Sequence, residues 1–224
     1  QKRERMRIDI LEYGPEFCRE VPDADLQAFA PRSSGESVVW IHVTGIHDPE
    51  RIAGIGARFG LHPLTIEDIV NTGQRPKAEL FSDYIYVVLK MMTHDEAADA
   101  VEFEHVSLVL GNRFVLSFQE DEGDIFDAVR ERIRAAKGKI RGMKADYLAY
   151  SLLDAIVDRY FLVVERVGDR IEEIDDRGAR RGQYRETREV IFNPNKERTE
   201  RMVGAPFEGL KRLKGQPTPG FVPS

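Results

Sequence analysis

A single cysteine, Cys18, stands in a chain of 224 residues. That excludes an internal disulfide and any zinc cluster built from several thiolates, and it points to a reducing, cytoplasmic setting. Long apolar runs are lacking as well. The greasiest stretches, Tyr84–Leu89 and Leu152–Val157, fall far short of the roughly 20 residues that a membrane helix requires. The opening QKRERMRIDI is charged where a signal peptide has its apolar core, and it lacks an initiator methionine, so a trimmed fragment is expected. Positive charge is in deficit: at a net −6 the chain has the wrong sign for a nucleic-acid grip, and no nucleic-acid partner is expected. Signatures of catalysis are missing too, with no P-loop, no nucleophile elbow and no Ser or Cys beside an evident base. The histidines (His42, His47, His62, His94 and His105) never fall at the i+3 or i+4 spacing that sets two metal ligands on one helix face.

What is present reads as a folded protein, 42% hydrophobic and 32% charged. Arg7–Tyr13 alternates apolar and polar residues, and Ser37–Val43 is β-branched and aromatic; both read as strands. Asp48 suits a helix N-cap, Pro49 the first helical position and Gly60 the residue past the end, and a second short helix follows over Pro63–Asn71. Strands are predicted over Tyr84–Thr93, Val101–Leu110 and Arg113–Phe118, the last two joined by a two-residue turn at Gly111-Asn112. Short connections imply antiparallel neighbours in a mixed sheet with helices on it.

From Asp124 the pattern is helical. Ile125, Val129 and Ile133 recur at i+4, and Leu153, Ile156, Tyr160, Val163, Val167, Ile171 and Ile174 form one long stripe. The stripe predicts a helix of roughly 30 residues, about 45 Å long, which outruns a small domain and must project from it or pack on another helix. The fold class is therefore α/β, organised as an α/β domain over 1–123, a long-helix segment over 124–192 and a proline- and glycine-broken tail over 193–224.

Few motifs carry chemistry. GIGARFG (Gly54, Gly56, Gly60) has the wrong spacing for a nucleotide loop and lies within a predicted helix. The acidic THDEAADAVEFEH reads as a solvated hairpin, and the basic RGARRGQYRETR as a charged helix end. Glu67 and Asp68 remain. At about 100° per residue, Ile66, Ile69 and Val70 fall on one side of the short helix, and Glu67, Asp68 and Asn71 on the other, towards water or a partner. Two acids so divergent are poorly placed to chelate one ion alone, so each needs ligands from elsewhere.

Several stretches in order, GLHPLTIEDI, QRPKAELFSDYIYVVLKMM, WIHVTGIHD, HVSLVLGNRFVLSFQE, VRERIR and DYLAYSLLDAIVDRYF, resemble the CorA family of magnesium transporters over about residues 36–192. The resemblance implies an α/β/α sandwich on the cytoplasmic side of the membrane, followed by long antiparallel helices. It also implies a homopentamer, with membrane attachment and a Gly-Met-Asn pore segment that would lie after Ser224. In the family, positions matching Asp68 and Glu67 bind divalent cations at the subunit interface. The position matching Asp154 contributes, together with an acid from the neighbour's stalk helix; Gly73 stands where a histidine is sometimes found. The implied role is that of a metal-sensing regulatory domain, with magnesium as the regulatory ion and cobalt as a further cation. Cations would favour the closed state, and Asp68→Lys would mimic a bound ion. A zinc-transporting relative, a cation-binding protein without a pore, a hydrolase built on Glu67 and Asp68, and a purely structural oligomerisation module are the competing classes.

Overall fold

A computed structural model of the chain describes residues 5–32, 37–95, 100–121, 123 and 125–181. Seven strands form one sheet: β1 (Arg7–Gly14), β2 (Phe17–Val21), β3 (Val38–Thr44), β4 (Lys77–Leu80), β5 (Tyr84–Asp95), β6 (Ala100–Gly111) and β7 (Phe114–Gln119). Their spatial order is β2-β1-β3-β7-β6-β5-β4. Only β3 and β7 run parallel; all other neighbours are antiparallel. The predicted turn between the last two strands sits one residue later, at Asn112-Arg113, because Gly111 stays in β6 and pairs with Tyr84.

Strand periodicity sorts the core into two layers. On one face Val38 and Trp40 of β3, Val87, Leu89 and Met91 of β5, and Val106 and Leu108 of β6 meet two helices, α3 (Asp127–Arg134) and α4 (Ala145–Arg181). On the other face Val39, Ile41 and Val43, Tyr84, Tyr86 and Val88, and Leu116 and Phe118 meet α1 (Pro49–Arg58) and α2 (Pro63–Val70). The arrangement is the expected α/β/α sandwich with a mixed sheet. Burying both faces explains why the strands of β3 and β5–β7 are nearly continuous in apolar residues.

The helix signals hold in detail. Asp48 caps α1 by accepting a hydrogen bond from the Arg51 amide at 3.1 Å, Pro49 opens the helix, and Gly60 takes a left-handed φ of +66° just past its end. Gly56 lies inside α1, as expected of a segment that is no phosphate loop. A Cβ there would sit 2.5 Å from Ile66 Cδ1, so its small size lets α1 and α2 pack closely.

The long helix is confirmed at 37 residues, about 55 Å. Its stripe is buried only through Val163; Val164, Val167 and Ile174 beyond it are exposed. Tyr160 pins the helix to the sheet by donating its hydroxyl to the Lys90 carbonyl at 2.6 Å. The second long helix, the basic run Arg177–Arg188 and the 193–224 tail lie outside the residues whose side chains are described.

Candidate functional site

The short helix α2 corrects one expectation. Asp68 does not point to water: it is 8% exposed, and Thr65, Asp68 and Ile69 form the buried flank of the helix. Ile66 and Val70, expected in the core, are half-buried, and Glu67 is exposed as expected. The cause is the polar anchoring of the helix to the sheet. Thr65 Oγ1 shares a 2.9 Å hydrogen bond with the Tyr84 hydroxyl, which also accepts from the His62 amide at 3.0 Å, and this rolls the 65/68/69 flank inward.

A buried carboxylate requires a counter-charge and donors. Asp68 finds both a few residues on, where the chain leaves α2 for the edge strand β4. Lys77 Nζ lies 2.5 Å from Asp68 Oδ2, and the Gln74 side-chain amide donates to Asp68 Oδ1. Lys77 also reaches Glu79 Oε1 at 2.9 Å, and its ammonium stands 5.9 Å from the Tyr86 ring centroid. Burial lowers the Lys77 pKa, but the hydrogen bonds and charges of Asp68 and Glu79 outweigh it and hold it above its ordinary value. Lys77 and Gln74 were missed as partners in the sequence because β4 itself was unread. The signal was there in Gln74-Arg75-Pro76-Lys77, where a proline corner returns a lysine towards the helix just left.

A polar seam continues inward. Tyr86 Oη and Ser107 Oγ share a hydrogen bond of 3.2 Å, and His105 Nε2 meets Ser107 Oγ at 2.9 Å. Burial, with Lys90 adding to it and Asp68 opposing, pulls His105 down to about 4, so it is neutral at physiological pH. Lys90 itself donates to the Thr72 carbonyl and ties the loop after α2 to β5.

Asp154, the remaining predicted residue, sits half-buried on α4, beside the buried Leu153 and Ile156. Because α2 and α4 pack on opposite faces of the sheet, one chain does not bring Asp68 and Asp154 together. Among the described residues, the side chains of Glu67 and Asp154 have no hydrogen-bond or ion-pair partner, whereas that of Asp68 has two. No group of three or more His, Cys, Asp and Glu side chains converges for a metal ion among the described residues, and the divergence of Glu67 from Asp68 leaves a hydrolase without a converged centre. No helix among the described residues is long and apolar enough to cross a membrane.

Two further acids, Glu104 and Glu120, are held by hydrogen bonds. A cavity of 260 Å³ at the far end of β5–β7 is lined by Glu102, Glu104, Glu120, Asp121 and Arg159 among others. Glu104 Oε1 accepts from the Asp121 amide at 3.1 Å and Gln119 Nε2 at 3.3 Å, and Glu120 Oε1 accepts from the His105 amide at 2.7 Å. The side chain of Glu102 is exposed, in keeping with the expected solvated hairpin, but Glu104 is half-buried.

Known proteins agree with this architecture. The full-length CmaX protein superposes with a TM-score of 0.71 at 16% identity, over 95% of this chain and 64% of that one. The CorA magnesium transporter from Methanocaldococcus jannaschii does so with a TM-score of 0.65 at 17% identity, over 96% and 65%. At such identities these likenesses speak for the fold alone. In sequence, the cobalt/magnesium transport protein CorA of Thermotoga maritima is 42% identical over 199 residues, covering 89% of this chain and 53% of that protein. The chain thus spans about half the length of that relative. The profile of the family described as CorA-like Mg2+ transporter protein matches residues 35–200, so the chain belongs to the CorA family, a family of transporters and not of enzymes.

Proposed function

We propose that this chain is the cytoplasmic, metal-sensing regulatory domain of a homopentameric channel for magnesium, with cobalt as a second cation, joined to the membrane by helices after Ser224. Divalent cations would bind between subunits, to Asp68 and Glu67 of one copy and Asp154 of another, and would favour the closed state. The observation that carries this reading is the disposition of the acids. The side chains of Glu67, exposed, and Asp154, half-buried, have no internal partners, and the helices that bear Asp68 and Asp154 lie on opposite sides of the sheet. A site uniting them requires two copies.

The chemistry suits a sensor. Magnesium prefers octahedral oxygen ligands and sheds its water reluctantly, so one or two carboxylates from each side make a weak site. Weak binding lets occupancy fall when the cytoplasmic concentration falls. With the ion bound, facing acids are neutralised and the subunits are held; without it, the unpaired acids Glu67 and Asp154 repel across the interface and the closed arrangement loses its bias.

The ion pair at Asp68 changes which variant tests this best. Asp68→Lys would set two ammonium groups side by side in a buried site, so loss of fold would mask loss of sensing. Asp154→Asn and Glu67→Gln leave the Asp68–Lys77 pair intact. In the full-length protein, Asp154→Asn should raise the magnesium concentration for half-maximal protection from chymotrypsin by roughly tenfold, equal to about 1.4 kcal/mol. An unchanged midpoint in both variants would remove these residues from sensing.

A further inference from the structure

We infer that Lys77 is a built-in rival of the sensed cation: a tethered ammonium that occupies Asp68 when no ion is bound and retires to Glu79 when one arrives. The inference rests on the assignment of Asp68 to the interfacial site and adds how that site is tuned.

Three observations carry it. The first is that both oxygens of the Asp68 carboxylate are engaged. Oδ1 takes the Gln74 amide and Oδ2 takes the Lys77 ammonium at 2.5 Å, so an incoming ion meets an acid that already has a cation, one it shares with Glu79. A metal–carboxylate bond of about 2.0–2.1 Å at Oδ2 would place a dication beside that ammonium, and their repulsion forces Lys77 away.

The second is that Lys77 has somewhere to go. Glu79 Oε1 already lies 2.9 Å from Nζ, and residues 77 and 79 point to the same side of β4 because strand side chains alternate. The lysine therefore trades a shared position between two carboxylates for one on Glu79 alone, without leaving its counter-charge.

The third is freedom to move. Asp68 is nearly enclosed, with a side chain 12% exposed, while the side chains of Lys77 and Glu79 are 29% and 41% exposed on an edge strand. A flexible four-carbon stem at such a position swings without disturbing the core. The result is a competition that weakens the site and lowers the cost of emptying it, since the acid never stands bare.

The test uses the full-length protein and magnesium alone, reading the concentration for half-maximal protection from chymotrypsin. Lys77→Gln should lower that midpoint roughly three- to tenfold, as expected when a competing charge-assisted contact is removed. Glu79→Gln should raise it, because the displaced lysine loses its resting place. In the Lys77→Gln background, Glu79→Gln should have no effect, whereas a general loss of negative field would persist there. A midpoint that Lys77→Gln leaves unchanged or raises, or a Glu79→Gln effect that survives in the double variant, overturns the inference while leaving the site intact. Asp154→Asn and Glu67→Gln midpoints both equal to wild type overturn the interfacial site itself. If Lys77→Gln does not fold, Lys77→Met takes its place, alone and with Glu79→Gln, and is read by the same criteria.

Discussion

Glu104 shows how far a single residue departs from its ordinary chemistry in this fold. Burial raises its pKa to about 7 against the donors Asp121 N and Gln119, with the neighbouring charges of Asp121 and Glu120 adding to the rise. A carboxyl whose folded pKa exceeds its unfolded one binds more protons when folded, so stability falls as pH climbs from 4.5 to 7. Glu104→Gln removes that loss. It should match wild type near pH 4.5 and gain about 1 kcal/mol at pH 8, read as a melting temperature roughly 2–4 °C higher; an equal offset at every pH would contradict the assignment. His42 works the other way. Enclosed between Trp40 and Phe126 and bonded to Ser117 Oγ at 2.7 Å, it is pulled down to about 3 by burial, with Arg130 and Arg7 adding to the effect. The unfolded chain takes up that proton first, so His42 costs stability as pH drops below 6.5. Neither residue's state was legible in the sequence, and neither was the burial of Asp68. Each depends on partners from other strands: Ser117 for His42, Gln119 for Glu104, Lys77 for Asp68.

Elements were more legible than residues, for a physical reason. The helices α1 and α2 announce themselves through local grammar, Asp48-Pro49 and His62-Pro63 at their starts, and β5 to β7 through long apolar runs buried on both faces. The strands that escaped notice, β2 and β4, are the two edges. FCREV and KAEL are short and only half-buried, so they carry little of the apolar signal that periodicity reads. The close contact of α1 with α2 gives a test in which two glycines of one helix respond with opposite sign. Gly54 faces open space, and Gly54→Ala should stabilise by about 0.5–1 kcal/mol through better helix propensity. Gly56→Val drives methyl groups into Ile66 and should cost about 1–3 kcal/mol. Urea midpoints of the two variants, compared with wild type, separate propensity from packing; similar shifts for both would mean that the helices do not abut there.

At the scale of the whole molecule, the chain ends its own core before it ends its longest helix. Past Val163 the helix α4 presents Val164, Val167 and Ile174 to solvent, with Phe161 and Leu162 exposed beside them. Among the described residues nothing covers that apolar stripe, and on the function proposed above it is where other copies pack. The placement of Asp68 and Asp154 on opposite faces of the sheet points the same way, since a cation that unites them must bridge two copies. Mixing distinguishes this from a site inside each subunit. Full-length Asp68→Asn and Asp154→Asn proteins should each lose the magnesium-dependent protection from chymotrypsin. Unfolded separately, combined and refolded together, they form some interfaces in which the intact Asp68 of one variant faces the intact Asp154 of the other. Those interfaces should restore part of the response. If every site lay within one chain, each chain in the mixture would still carry its own broken site, and the mixture would stay as unresponsive as its parts.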